Sequence, residues 1–150
     1  MATRSIARPG ASPPAPSPHA MAGFALFNLG FRPFYFVAAT YAALSIPLWV
    51  LVWAGLVPMR VSIATQWWHT HEMVFGFALA VVIGFLFTAA RAWTGIDTPS
   101  GNRLVGLVGL WLAARIFFHA GLAVAGVVMD LALIVLAAGA ILRVLLEAGN

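Results

Sequence analysis

Four long apolar stretches separated by short polar segments set the hydrophobic pattern of this chain. The stretches lie at about 33–57, 68–93, 104–119 and 127–146. Each is close to the ~20 mainly apolar residues that a helix needs to cross a bilayer. Pro47, inside the first stretch, predicts a kink or a locally unwound turn. We therefore predict an all-α, polytopic membrane protein in which residues 24–150 form a domain of four transmembrane helices.

The polar segments indicate how these helices connect. The sequence "TGIDTPSGNR", at 94–103, has the Gly, Pro, Ser and Asn content of a loop. The sequence "AGLAVAG", at 120–126, is short enough to join the third and fourth helices as an antiparallel hairpin. Ahead of the first helix, residues 1–23 hold five of the nine prolines and no hydrophobic run. We predict that this segment is a disordered, Pro-rich tail.

Composition agrees with the pattern. The chain is 63% hydrophobic and 8% charged, with a mean hydropathy of +0.98, which is typical of a protein whose partner is the lipid bilayer. All eight basic residues are arginines spread singly along the chain, so they form no patch for nucleic acid. The absence of cysteine excludes disulfides, thiolate metal sites and cysteine nucleophiles.

The arginines also predict the orientation. If the N-terminus is cytoplasmic, six arginines lie in or beside cytoplasmic segments, whereas Arg60 lies outside; the six are Arg4, Arg8, Arg32, Arg91, Arg103 and Arg143. Because positive charge concentrates on the cytoplasmic side, we predict that both termini are cytoplasmic. Five tryptophans near predicted helix ends suit the headgroup layer, while Trp111 should pack between helices; the five are Trp49, Trp53, Trp67, Trp68 and Trp93.

This topology brings six polar residues into the outer half of the membrane. Three enter with the second helix, two end the third and one lies in the first turn of the fourth: His69, His71, Glu72, Arg115, His119 and Asp130. A buried arginine costs at least a few kcal/mol unless it faces protein, water or an anion, so we expect Glu72 or Asp130 to pair with Arg115. The simpler interpretation is an ion pair that only pins helices, or, for Asp130, a carboxylate at a helix N-terminus.

The histidines admit two interpretations. His69 and His71 lie ~200° apart around an α-helix and would serve different neighbours, whereas an unwound backbone at Trp68 would let both close on one ion. Neutral imidazole is a good ligand for haem iron and for copper. The alternative is a pair of interfacial histidines beside two interfacial tryptophans.

Four motifs occur in an informative order: "LGFRPFYF" (29–36), "WHTHEMVFGF" (68–77), "GFLFTAARAWTG" (84–95) and "LWLAARIFF" (110–118). Together they resemble the NnrS family, bacterial inner-membrane proteins of the nitric-oxide response, over about residues 24–147. The resemblance implies haem and copper as cofactors and a role in nitrosative-stress tolerance. Family members usually have more than four spans, so this chain resembles a short member or an N-terminal part. Further membrane helices, from another chain or a second copy, would then complete a cofactor site.

The resemblance also implies roles for individual residues. His71 is the first candidate for a metal ligand, because a histidine followed by Met and Phe near the start of a second helix is also similar to haem–copper oxidase subunit I. The further candidates are His69 and His119. Arg115 and Arg32 would neutralise haem propionates or support the fold.

Supporting roles fall to two carboxylates. We expect Glu72 to orient a histidine by accepting its hydrogen bond, with Asp130 as a second supporting group.

Two other classes of function stay open. One is a transporter or channel subunit with a proton or anion path, and the other is a structural or assembly subunit. The sequence shows no nucleophile–base pair, phosphate loop or carboxylate dyad, so it predicts no catalytic residue and leaves enzymatic activity open.

Overall fold

A computed structural model describes residues 25–58 and 64–149 of the chain. The predicted tail at 1–23 therefore lies outside the described residues. The elements are a 3-10 turn at Ala25–Asn28, α1 at Phe31–Trp53, α2 at Thr65–His71, a π-helical segment at Glu72–Ala78, α3 at Leu79–Thr94, α4 at Gly101–His119 and α5 at Ala123–Ala148.

Four of these helical units are long and apolar enough to cross a membrane. They are α1, the continuous run Thr65–Thr94 that joins α2, the π-helical segment and α3, and then α4 and α5. The described ranges contain no strand. The prediction of an all-α membrane protein with four transmembrane helices is confirmed.

The two helix boundaries that differ most from the prediction, by four residues each, both follow from glycine. α1 ends at Trp53 rather than near 57, because Gly55 adopts a left-handed conformation with φ +73°. Gly121, with φ +76°, makes the α4–α5 turn so tight that α5 begins at Ala123 rather than near 127. Asp130 is thus the eighth residue of α5, ~10 Å inside the helix. Its interpretation as a first-turn carboxylate is wrong.

Small residues let the helices approach closely. α4 and α5 pack side by side as the predicted hairpin, and a Cβ built on Gly126 would lie 2.6 Å from the Phe118 ring. α1 packs against α3, where a Cβ on Gly84 would lie 3.2 Å from Phe34 Cβ. The buried core comprises Phe34, Ala38, Ala80, Ile83, Phe87, Leu104, Leu107, Trp111, Leu133 and Ala137.

Candidate functional site

The polar groups gather near one end of the bundle. We call this the histidine end: here α1 ends at Trp53, α2 begins at Thr65, α4 ends at His119 and α5 begins at Ala123. Five side chains from α1, α2, the π-helical segment, α4 and α5 form what we call the buried cluster: Tyr41, His71, Glu72, Arg115 and Asp130.

Arg115 lies at the centre of the buried cluster and is only 3% exposed. Its Nη2 donates to Asp130 Oδ2 at 2.5 Å, and its Nε lies 3.2 Å from Glu72 Oε2. The sequence left the choice of carboxylate open, and the guanidinium contacts both. Because Glu72 and Asp130 are themselves 0% and 3% exposed, two carboxylates share one arginine in a site shielded from water.

His71 contacts the same two carboxylates. Its Nδ1 lies 3.1 Å from Glu72 Oε1, and its Nε2 lies 3.7 Å from Asp130 Oδ2. The ring packs on Phe75 and Phe118, with centroid separations of 4.7 and 4.1 Å. An ionised carboxylate only accepts hydrogen bonds, so its contact with Nδ1 favours a hydrogen there and a lone pair on Nε2.

Tyr41 completes the buried cluster, and sequence reasoning missed it. Its hydroxyl donates to Glu72 Oε2, and its ring meets the Trp111 ring edge-on at 5.5 Å. A tyrosine in the middle of an apolar span is a signal that could have found it, because a buried phenol hydroxyl usually has a partner.

Gly76 in the π-helical segment makes room for this arrangement. A Cβ built on it would lie 2.6 Å from Tyr41 Cε1, 2.9 Å from Arg115 Nη1 and 3.1 Å from Glu72 Oε2. Its carbonyl oxygen accepts a 2.9 Å hydrogen bond from Trp111 Nε1. π-helical turns are rare and often occur at functional sites, and this one holds Glu72 against the arginine.

His69 points elsewhere, as expected for a helical backbone. Its ring stacks on Trp49 at a centroid distance of 4.1 Å. Because α2 is helical over Thr65–His71, the alternative of an unwound backbone at Trp68 is wrong. Trp68 is also fully buried, so its prediction as a headgroup anchor is wrong, whereas Trp111 packs between helices as predicted.

His119 occupies the last turn of α4 and is exposed. Its Nδ1 lies 2.8 Å from the Arg115 carbonyl oxygen, which can only accept, so the hydrogen belongs on Nδ1 and the lone pair on Nε2. The ring meets those of Trp68 and Tyr41 edge-on, at 5.4 and 6.4 Å.

Arg32 lies apart from the other predicted site residues. It is exposed in the first turn of α1, nine residues or ~13 Å of helix before Tyr41. Within residues 25–58 and 64–149, no three His, Asp or Glu side chains are arranged to hold a metal ion. The fold thus unites His71, Glu72, Arg115 and Asp130, sets His69 and His119 beside them, and leaves Arg32 at the opposite end.

The comparisons with known proteins bear on the whole membrane domain. The family model described as "NnrS protein" matches residues 25–150, which include all four transmembrane helices. This chain belongs to the NnrS family. No curated protein and no solved structure matches it. The NnrS match confirms the resemblance drawn from the four motifs and, with the apolar helices, identifies a membrane protein of the NnrS type.

Proposed function

We propose that this NnrS-family chain is a metal-binding membrane protein of the nitric-oxide response in the bacterial inner membrane, contributing to nitrosative-stress tolerance. The observation that carries the metal assignment is the setting of His71. Its Nδ1 lies 3.1 Å from Glu72 Oε1, and its Nε2 lies 3.7 Å from Asp130 Oδ2. A carboxylate that holds the far nitrogen of a histidine is the usual support of a metal-ligating imidazole.

A small cation such as copper fits these donors. Asp130 Oδ1 is buried and has no hydrogen-bond partner among the described residues, and Oδ2 of the same carboxylate lies 3.7 Å from His71 Nε2. With a neutral His71, the two carboxylates and Arg115 sum to one negative charge, which a bound cation would offset in this shielded site. Imidazole nitrogen and carboxylate oxygen suit divalent copper. Any further ligand would come from other helices or from a second copy.

Haem fits a different histidine better. The space in front of His71 Nε2 is taken by Asp130, which is paired with Arg115. His119 is exposed and its Nδ1 is taken by the Arg115 carbonyl, so we propose that its Nε2 would hold the iron of a bound haem. We assign Arg115 to the buried cluster rather than to a propionate. Arg32 suits only a haem bound at the opposite end.

Metal analysis and absorption spectroscopy of the purified full chain test both assignments. We expect His71→Ala to lower the copper content, and Glu72→Gln to weaken copper binding by about 10–100-fold. His119→Ala should remove the Soret band and leave copper unchanged. His69→Ala, in which the lost ring stacks on Trp49, is the matched control for copper.

Each variant must insert and purify as the parent does. Wild-type copper in His71→Ala would rule out His71 as a ligand. A metal-free wild-type protein that carries protons or anions in proteoliposomes would favour the transporter interpretation instead. A wild-type protein with neither bound metal nor ion flux would favour a structural subunit.

A further inference from the structure

A second group of polar atoms lies between the buried cluster and the helix termini that define the histidine end. Within the part of the chain that the structure describes, four buried atoms here have no hydrogen-bond partner: Ser45 Oγ, Trp49 Nε1, Trp68 Nε1 and His69 Nδ1. Ser45 and Trp68 are only 3% and 0% exposed, so neither side chain has bulk water as a partner. Buried polar atoms almost always have a hydrogen-bond partner in a native protein.

The register of the helices brings these residues to one interface. Tyr41, Ser45 and Trp49 are four apart and share a face of α1. At the two ends of this row, Tyr41 donates to Glu72 and Trp49 stacks on His69. Ser45 therefore lies midway between two contacts of α1 with the second transmembrane helix.

Trp68 belongs to the same interface. It precedes Glu72 by four residues, so the two side chains share a face of their helix. Its ring contacts His119, whose own ring contacts Tyr41. Ser45 and Trp68 thus each lie one helical turn from the Tyr41–Glu72 contact, both on the side of the histidine end.

The chemistry of the four atoms selects the ligand. An indole N–H is only a donor, so the two tryptophans require an acceptor, whereas the serine hydroxyl both donates and accepts. An anion is disfavoured, because the carboxylate-rich cluster lies one turn away. A cation is disfavoured by the indole N–H dipoles. Water is neutral, donates and accepts, and typically makes about three hydrogen bonds when buried.

We propose that the α1–α2 interface holds a structural water site formed by Ser45, Trp68 and His69, with Trp49 at its margin. The site continues from the half-buried His69 towards the fully buried Glu72. It gives the buried cluster a hydrated neighbour on the side of the histidine end. It requires no metal at His71 and is independent of that assignment.

Hydroxyl-radical footprinting of the wild-type full chain in lipid nanodiscs tests the site, because radicals generated from a bound water oxidise side chains that bulk solvent does not reach. Trp111 is the matched control: it is also buried, at 3% exposure, but its Nε1 donates to the Gly76 carbonyl. We expect oxidation of Trp68 to be several-fold faster than that of Trp111. Equal rates at the two tryptophans, whether slow or fast, would overturn the proposal.

A pair of variants locates the water. Ser45→Ala removes one partner and should lower the Trp68 rate towards that of Trp111. Thr40→Ala removes an exposed hydroxyl from the same helix and should leave the Trp68 rate as in the wild type. An unchanged Trp68 rate in Ser45→Ala, or an equal fall in Thr40→Ala, would show that Ser45 does not form the site.

Discussion

Arg115 Nη2 and Asp130 Oδ2 lie 2.5 Å apart, so this ion pair joins the two helices of the α4–α5 hairpin inside the bundle. The same guanidinium reaches Glu72 in the π-helical segment. One side chain therefore connects three transmembrane units by charge, in an environment where each partner would be costly alone.

We predict that Arg115→Gln lowers the free energy of unfolding by about 3–5 kcal/mol, because it leaves two buried carboxylates without their counter-charge. Reversible unfolding in mixed micelles measures this change. Arg143→Gln is the control, since Arg143 forms an exposed pair with Glu147 and its loss should cost about 0.5 kcal/mol or less. Equal effects of the two substitutions would contradict the central role of Arg115.

Gly76→Ala should destabilise the protein by about 1–3 kcal/mol, because the added methyl group would overlap Tyr41 and crowd Arg115. Gly139→Ala offers a control in another transmembrane helix. A Cβ there meets nothing within 4 Å, so this substitution should be neutral or slightly stabilising through helix propensity. Thermal unfolding of both variants, followed by circular dichroism, measures the difference in their stability. A Gly76→Ala protein as stable as Gly139→Ala would mean that the close approach is not required.

Tyr41→Phe removes the hydroxyl that donates to Glu72 and leaves the ring in place. We expect a loss of about 1–3 kcal/mol, the usual cost of an unmet buried hydrogen bond. Tyr35→Phe, at an exposed position of the same helix, should change stability much less. If the two substitutions had the same effect in chemical unfolding, the hydroxyl of Tyr41 would contribute nothing to the buried cluster.

The cytoplasmic location of both termini stays a prediction that labelling can test. The chain has no cysteine, so single cysteines introduced by Ala120→Cys and Ser100→Cys report on the two ends of α4. In intact cells a membrane-impermeant maleimide should modify the thiol introduced by Ala120→Cys and leave the thiol introduced by Ser100→Cys unmodified. The reverse pattern would place the termini outside and invert the predicted depth of every polar group.

The hydrophobic pattern was enough to predict the four spans, and the free-energy cost of burying a charge in a membrane was enough to predict that Arg115 pairs with a carboxylate. They could not show that Asp130 lies in the third turn of α5, because the small apolar residues of 120–126 are compatible with both turn and helix. They also could not place Trp68, since a tryptophan near a helix end suits either the headgroup layer or a core. Tyr41 and Gly76 escaped notice because their roles depend on contacts between distant segments.

The π-helical segment Glu72–Ala78 also changes the rotation of α2 relative to α3 about their common helix axis. Its wider turn absorbs an extra residue, and one residue of an α-helix corresponds to about 100° of rotation. The buried residues Trp68, Glu72 and Gly76 therefore face the core together with Ile83 and Phe87 of α3, an alignment that an unbroken α-helix would lose. Removing one residue from this turn would leave α3 seated in the core and swing His71 and Glu72 away from Arg115. The direction in which His71 points is therefore set by the width of the π-helical turn.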